Sequence, residues 1–130
     1  MLFLDRFREL AVDLGRSPGL TPHHAIEQWS EFVNDCIEGF EGTIFEYWDD
    51  ISIRSFLQRV IDDSAVGTTP ELEWFREEVC RVDERFSDLL AQGFDVPGGR
   101  GWWERKVPGV AGREMAENVR EQYGYHVDVV

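Results

Sequence analysis

The chain lacks any long apolar run and contains only two cysteines. A helix that spans a bilayer needs about 20 predominantly apolar residues. The N-terminal sequence MLFLDRFREL also has charged residues where a signal peptide keeps its apolar stretch. We therefore expect a cytoplasmic protein that does not enter a membrane. Cys36 and Cys80 each lie among apolar neighbours in a helical pattern, so we expect reduced core residues and no disulfide.

Residues that carry enzymatic and metal chemistry are also few. The three histidines are His23, His24 and His126, and none accompanies a nucleophile motif of the G-x-S-x-G kind. His23 and Glu27 lie one helical turn apart, but no H-E-x-x-H or calcium-loop pattern is present, and polar residues in the first turn of a helix are ordinarily exposed. The segment GGRG has no Walker lysine. The sequence predicts no catalytic residue, no metal and no cofactor.

Basic residues are outnumbered two to one. Lys and Arg total 13 against 26 Asp and Glu, which gives a formal net charge of −13. No Lys or Arg occurs between Ser17 and Ile53, although eight acidic residues do. Such a surface repels phosphate backbones, so we expect no direct binding to nucleic acid. It attracts a basic protein and speeds the encounter, while the same acidity also keeps a chain soluble without any partner.

Apolar residues recur at intervals of three and four through most of the chain, which is the spacing of amphipathic helices. The pattern predicts helices over about 2–14, 22–39 and 50–63, a fourth from Pro70 towards Gly93, and a last one from Ala111 to Gly124. No repeat or linker divides the sequence. We therefore predict an all-α fold, a single-domain bundle (residues 1–130) of about five helices with a long loop rich in Gly, Pro and Trp.

The segment before residue 50 is ambiguous. Apolar residues of 44–51 lie on one helical face, whereas those of 53–60 lie on nearly the opposite face. One helix accommodates both only if it is buried on two sides, so we favour a break near Asp49–Ser52, where Asp49 and Asp50 suit a helix start. The preceding piece is then a shorter helix or an extended segment. Residues 43–48 and the alternating tail 125–130 are the strand candidates, and their pairing at an edge is a minor alternative.

The second predicted helix has an acidic outer face. Its exposed positions carry Glu27, Glu31, Asp35 and Glu38, where like charges one turn apart repel each other by a few tenths of a kcal/mol. Stability does not require this arrangement, but it suits capture of a basic protein surface. Small acidic helical proteins that neutralise basic toxins bind them through such charge attraction. We therefore predict a non-catalytic module that binds a basic protein, as an immunity protein, an antitoxin or an inhibitor does. The alternatives are mimicry of nucleic acid, with carboxylates in place of phosphates, and a solvated face without a partner.

The segment FDVPGGRGWWERKVP, residues 94–108, is the second candidate for partner binding. It contains Arg100, Trp102, Trp103 and Arg105, together with the chain's only lysine. If the segment is extended, one tryptophan faces the core and the other faces outward as a potential hot spot. Alternatively, both tryptophans seal the helical core, and the basic residues dock the segment onto the acidic helix of the same chain.

Two other classes of function remain open at this stage. A pocket among the aromatic side chains, with converging polar groups such as His24, Asp50 or Arg54, would indicate an enzyme or a small-ligand-binding protein. An exposed apolar patch would indicate a structural or homo-oligomeric module.

Overall fold

The computed structural model describes residues 2–130, and helices make up most of them. The five helices are α1 (Phe3–Asp13), α2 (Pro22–Glu38), α3 (Ile44–Asp62), α4 (Glu71–Leu90) and α5 (Arg113–Tyr123). Two short 3₁₀ turns cover Val66–Thr68 and Trp102–Glu104. Four two-residue strands follow α4: β1 (Phe94–Asp95), β2 (Lys106–Val107), β3 (Val110–Ala111) and β4 (Asp128–Val129). Among residues 2–130, no helix combines the length and the apolar character needed to cross a membrane.

Several helix ends lie where the sequence places them. Thr21 accepts a hydrogen bond from the backbone N–H of His24, and Pro22 occupies the first helical position of α2. Gly124 ends α5 with φ of 79°, in the left-handed region that glycine adopts without a steric cost. The start of α4 differs from the prediction. The helix predicted from Pro70 begins at Glu71, and the hydroxyl of Thr69 donates to the carbonyl of Val66.

The predicted break near Asp49–Ser52 is wrong. Helix α3 runs unbroken from Ile44 to Asp62, so Asp49 and Asp50 lie inside the helix, and residues 43–48 are not a strand. Thr43 provides the start in a capping box with Glu46, whose side chain accepts the N–H of Thr43 in return. The helix holds apolar residues on opposite faces because it packs against α1, α2, α4 and α5. Burial on two sides therefore explains both apolar stripes.

Most apolar residues that recur at helical spacing are buried, with a few exceptions. In α2, Phe32 and Cys36 are buried because the helix contacts both α3 and α4. Ile37, in contrast, is 47% exposed. Cys80 is exposed on α4 and is not a core residue. Leu14 lies just beyond α1 and is partly exposed.

The strands pair locally within the C-terminal third. β1 and β2 form an antiparallel pair that closes the loop at residues 96–105. β4 pairs with β3 in parallel, so the tail does not pair with residues 43–48. The C-terminal Val130 packs on Gly39, whose φ is 102° and where a Cβ atom would lie 2.5 Å from the valine side chain. This contact holds the end of the chain beside the C-terminus of α2.

Candidate functional site: an acidic groove and a tryptophan segment

A concave surface with acidic walls runs between α2 and α3. Its first part has a volume of about 330 Å³ and its second part about 420 Å³, and Asp35 lines both. We call this surface the acidic groove and define it by seven carboxylates. They are Glu31, Asp35 and Glu38 of α2, Glu41 of the connecting loop, and Glu46, Asp49 and Asp50 of α3. Phe32, Phe40 and Ile53 contribute its apolar floor.

The described residues contain no counter-charge that pairs with the carboxylates of the acidic groove. Among residues 2–130, none of the seven forms an ion pair within 4.0 Å. Within the part of the chain that the structure describes, one cation lines the groove, Arg16, at the end nearest α1. Its guanidinium donates to the hydroxyl of Ser52 at 2.9 Å and lies 5.6 Å from the centre of the Phe56 ring. Arg16 is thus held against α3, and the acidic walls face the solvent.

Asp50 is the carboxyl of the groove whose pKa is raised. Partial burial raises the pKa of its carboxyl, and the neighbouring charges of Asp49, Glu46 and Asp35 raise it further. Desolvation and like charges thus both disfavour the ionised form of Asp50, and a nearby cation would favour it. The sequence interpretation placed this residue at a helix start, whereas it lies inside α3, one turn from Glu46.

The structure brings together three of the four predicted acidic residues. Glu31, Asp35 and Glu38 line the groove, whereas Glu27 is exposed on the same helix but outside the groove. The carboxylates of α3 double the acidic wall, and the sequence interpretation missed their role. The signal was the interval without Lys or Arg, which spans both helices.

The tryptophan segment is not extended. Trp102, Trp103 and Glu104 form a 3₁₀ turn in which Trp103 is buried and Trp102 is half-buried. The indole N–H of Trp103 donates to the hydroxyl of Ser55 on α3 at 3.1 Å. Gly101 permits this turn, since a Cβ atom there would lie 2.5 Å from the Trp103 ring. Trp103 therefore seals the core, while Trp102 retains a solvent-facing part.

Trp103 covers a buried ion pair that the sequence interpretation did not identify. Arg54 is 4% exposed and donates to both carboxylate oxygens of Asp83, at 2.8 and 2.9 Å. Asp83 also accepts the indole N–H of Trp29 at 3.0 Å, and the guanidinium lies 4.3 Å from the centre of the Trp103 ring. Gln58 accepts a further N–H from Arg54. The pair links α2, α3, α4 and the tryptophan segment in one polar network.

The basic residues of the segment do not dock it onto α2, contrary to that hypothesis. Lys106 lies 3.8 Å from Asp95 in the paired strand, and Arg105 donates to the carbonyl of Arg100 at 3.5 Å. Beside them lies a second concave surface of about 370 Å³, which we call the Trp102 groove. It is lined by Ser87, Leu90 and Ala91 of α4 and by Asp95, Trp102, Arg105 and Lys106 of the hairpin.

Asp62, the last residue of α3, and the adjacent Asp63 both accept hydrogen bonds from other side chains. Asp63 accepts two hydrogen bonds from the guanidinium of Arg6, at 2.8 and 3.0 Å, and one from the N–H of Val66. These donors, Arg6 first, lower the pKa of Asp63 to about 2. Asp62 accepts from Gln58. The pairing of Asp63 with Arg6 joins the end of α3 to α1.

The residues named for a ligand pocket do not converge. His24 is exposed in the first turn of α2, Asp50 lies in the acidic groove, and Arg54 is buried against Asp83. Within the described part of the chain, no group of three or more His, Cys, Asp and Glu side chains is arranged to hold a metal ion. Comparison of the chain with protein-family models, curated protein sequences and solved structures finds no match.

Proposed function

We propose that the chain is a cytoplasmic helical bundle that binds a basic protein through the acidic groove. The observation that supports this most strongly is the alignment of seven carboxylates from two helices and their loop along one concavity, with no ion-pair partner among residues 2–130. We infer that the partner is a toxin or a nucleic-acid enzyme whose basic site is covered when it is bound.

The shape and charge of the groove favour a protein partner over a small cation. Carboxylates spread over two joined concavities match several basic side chains on one surface better than a single ion. The apolar floor from Phe32 and Ile53 adds contact area beneath them. Long-range attraction of this kind acts mainly on the association rate and on the choice of partner. It also weakens as salt screens the charges, over about 10 Å at 0.1 M ionic strength.

Nucleic acid is disfavoured by the same electrostatics. A net charge of −13 repels a phosphate backbone, and the groove has no exposed basic wall that would reverse this locally. A protein that binds nucleic acid presents a basic surface instead, which is the complement of this groove.

The test is a capture experiment with two matched variants. Immobilised protein is exposed to host extract at low salt and at high salt, and the bound proteins are identified by mass spectrometry. The groove variant combines Glu31→Gln, Asp35→Asn and Asp50→Asn. The control variant combines Glu73→Gln, Glu77→Gln and Asp88→Asn at exposed positions of α4, and it removes the same three charges.

The proposal predicts a basic protein that binds the unmodified chain and the control variant at low salt, and that is lost with the groove variant and at high salt. Equal loss with both variants would mean that total charge, and not the groove, attracts the protein. Retention by the groove variant would contradict the proposal outright.

A further inference from the structure

We propose that the Trp102 groove is a second docking site, which binds an acidic segment of another protein that carries one apolar side chain. The inference is independent of the acidic groove, since the two surfaces share no lining residue. It rests on three features that occur together in the described residues: an apolar wall, an unused hydrogen-bond donor and two arginines without counter-charges.

The apolar floor is formed where the last turn of α4 meets the hairpin. Leu90 lies at the base of the groove and is 3% exposed, while Ala91, just beyond α4, adds a small aliphatic surface. Trp102 provides the main apolar wall and is held in place by its contacts with Phe86 and Trp103, at ring-centre distances of 6.2 and 5.9 Å. A rigid aromatic wall loses little conformational freedom on binding, and tryptophan and arginine are the residue types most often found at interface hot spots. One aliphatic or aromatic side chain suits this space.

The hydrogen-bonding state of Trp102 favours an acceptor in the ligand. The indoles of Trp29 and Trp103 donate to Asp83 and Ser55 respectively. Among residues 2–130, no acceptor binds the indole N–H of Trp102, and the same is true of Trp48 and Trp74, which are also half-buried. Trp102 differs from these two in lining a concave surface beside exposed cations. A carboxylate or a carbonyl oxygen of a bound segment would use this donor.

The charges beside the groove favour an acidic ligand. Arg100 and Arg105 are exposed, and within the described residues no carboxylate lies within 4.0 Å of either guanidinium. Lys106 faces only Asp95, at 3.8 Å, and the carboxylate of Asp95 is itself 83% exposed. In a chain of net charge −13, this is a local basic patch against an acidic background. Charge complementarity therefore selects carboxylates at short range.

The two grooves differ in their expected response to salt. A basic partner is attracted by the whole chain as well as by the acidic groove, so its binding weakens steeply with salt. An acidic segment is attracted by the local cations and repelled by the rest of the chain, and salt screens both effects. We therefore expect its affinity to change little with salt.

The test is a titration of the full-length, ¹⁵N-labelled protein, followed by the indole N–H resonances of its tryptophans. The probe is a capped heptapeptide with a central phenylalanine between acidic residues. Two control peptides replace the phenylalanine with serine or the acidic residues with lysine. The variant is Arg105→Glu, and its matched control is Arg81→Glu, an exposed arginine of α4 that gives the same net charge.

The proposal predicts a saturable shift of the Trp102 resonance with the acidic phenylalanine peptide. Binding should weaken by about tenfold or more with either control peptide and with Arg105→Glu, and remain unchanged with Arg81→Glu. Unchanged Trp29 and Trp103 resonances will show that the variants are folded. The absence of a shift at millimolar peptide, or an equal shift with the lysine peptide, would overturn the proposal. A shift that depends on protein concentration alone would overturn it in favour of a second copy of the chain.

Discussion

Replacing Asp83 with alanine will cost the protein a large part of its stability. The change leaves the guanidinium of Arg54 without its counter-charge at a site where only 4% of the residue is exposed, and it leaves the indole N–H of Trp29 without an acceptor. Breaking a buried pair by removing one partner costs about 3–5 kcal/mol. We expect a loss in this range, because Trp103 covers the guanidinium and restricts its access to water.

The assay is urea unfolding, followed by tryptophan fluorescence and by far-UV circular dichroism. With a slope of about 2 kcal/mol per molar urea, a loss of about 4 kcal/mol lowers the midpoint by about 2 M. The matched control is Glu84→Ala, which removes the same charge from the neighbouring, exposed position of α4. We expect it to change the free energy of unfolding by about 0.5 kcal/mol or less.

A double variant separates the two causes of that loss. Arg54→Met with Asp83→Ala removes the uncompensated charge while keeping an unbranched side chain in place, so it should be more stable than Asp83→Ala alone. The reasoning is refuted if Asp83→Ala costs less than about 1 kcal/mol, or if the double variant is as unstable as the sum of the two single changes. Either result would mean that the Arg54 site is hydrated and that Trp103 does not seal it.

Three further predictions concern single carboxyl and hydroxyl groups. Asp63 has a pKa of about 2 in the folded chain, below its usual value, so its ion pair with Arg6 stabilises the protein above about pH 4. This stabilisation is lost as the pH falls towards 2. Urea unfolding at a series of acidic pH values should therefore show that the difference in unfolding free energy between the unmodified chain and Asp63→Asn disappears over that interval. The hydroxyl of Tyr47 is buried without a hydrogen-bond partner among the described residues, so Tyr47→Phe should leave the melting temperature unchanged or raise it. A decrease of more than about 1 kcal/mol in the unfolding free energy would contradict this, because it would mean that the hydroxyl has a partner. Asp50 has a raised pKa, so its ionisation destabilises the folded protein. At pH 7, Asp50→Asn should therefore raise the unfolding free energy by about a few tenths of a kcal/mol. Differential scanning calorimetry at pH 7 and below pH 4 should show that this gain vanishes at the lower pH.

The helices could be predicted from the sequence because their signals are local. Thr21 with Pro22 starts α2, and Gly124 ends α5, in each case through contacts within a few residues of the chain. The continuity of α3 could not be predicted in this way. Its two apolar faces are compatible with one helix only when other helices cover both, and that is a property of the tertiary structure.

The acidic groove could be predicted only in part, because some of its features are local and others depend on the tertiary structure. The acidic face of α2 follows from helical spacing, but the contribution of Asp49 and Asp50 depends on their position inside an unbroken α3. Likewise, the adjacent tryptophans indicated one buried and one outward ring, and the structure has one buried and one half-buried ring, although in a 3₁₀ turn. The ion pair beneath them joins Arg54 to Asp83 across 29 positions of the chain, and no local pattern signals such a pairing.

The measurement that most directly tests whether the acidic groove concentrates cation binding is a chemical-shift map with a basic probe. The ¹⁵N-labelled protein is titrated at low salt with a nona-arginine peptide, and the amide shifts are compared between the groove and the exposed acidic face of α4. Our account predicts the largest shifts at Asp35 and Asp50, and their loss when salt is added. Shifts of equal size at Glu73 and Glu77 would contradict it, because the probe would then be responding to net charge alone.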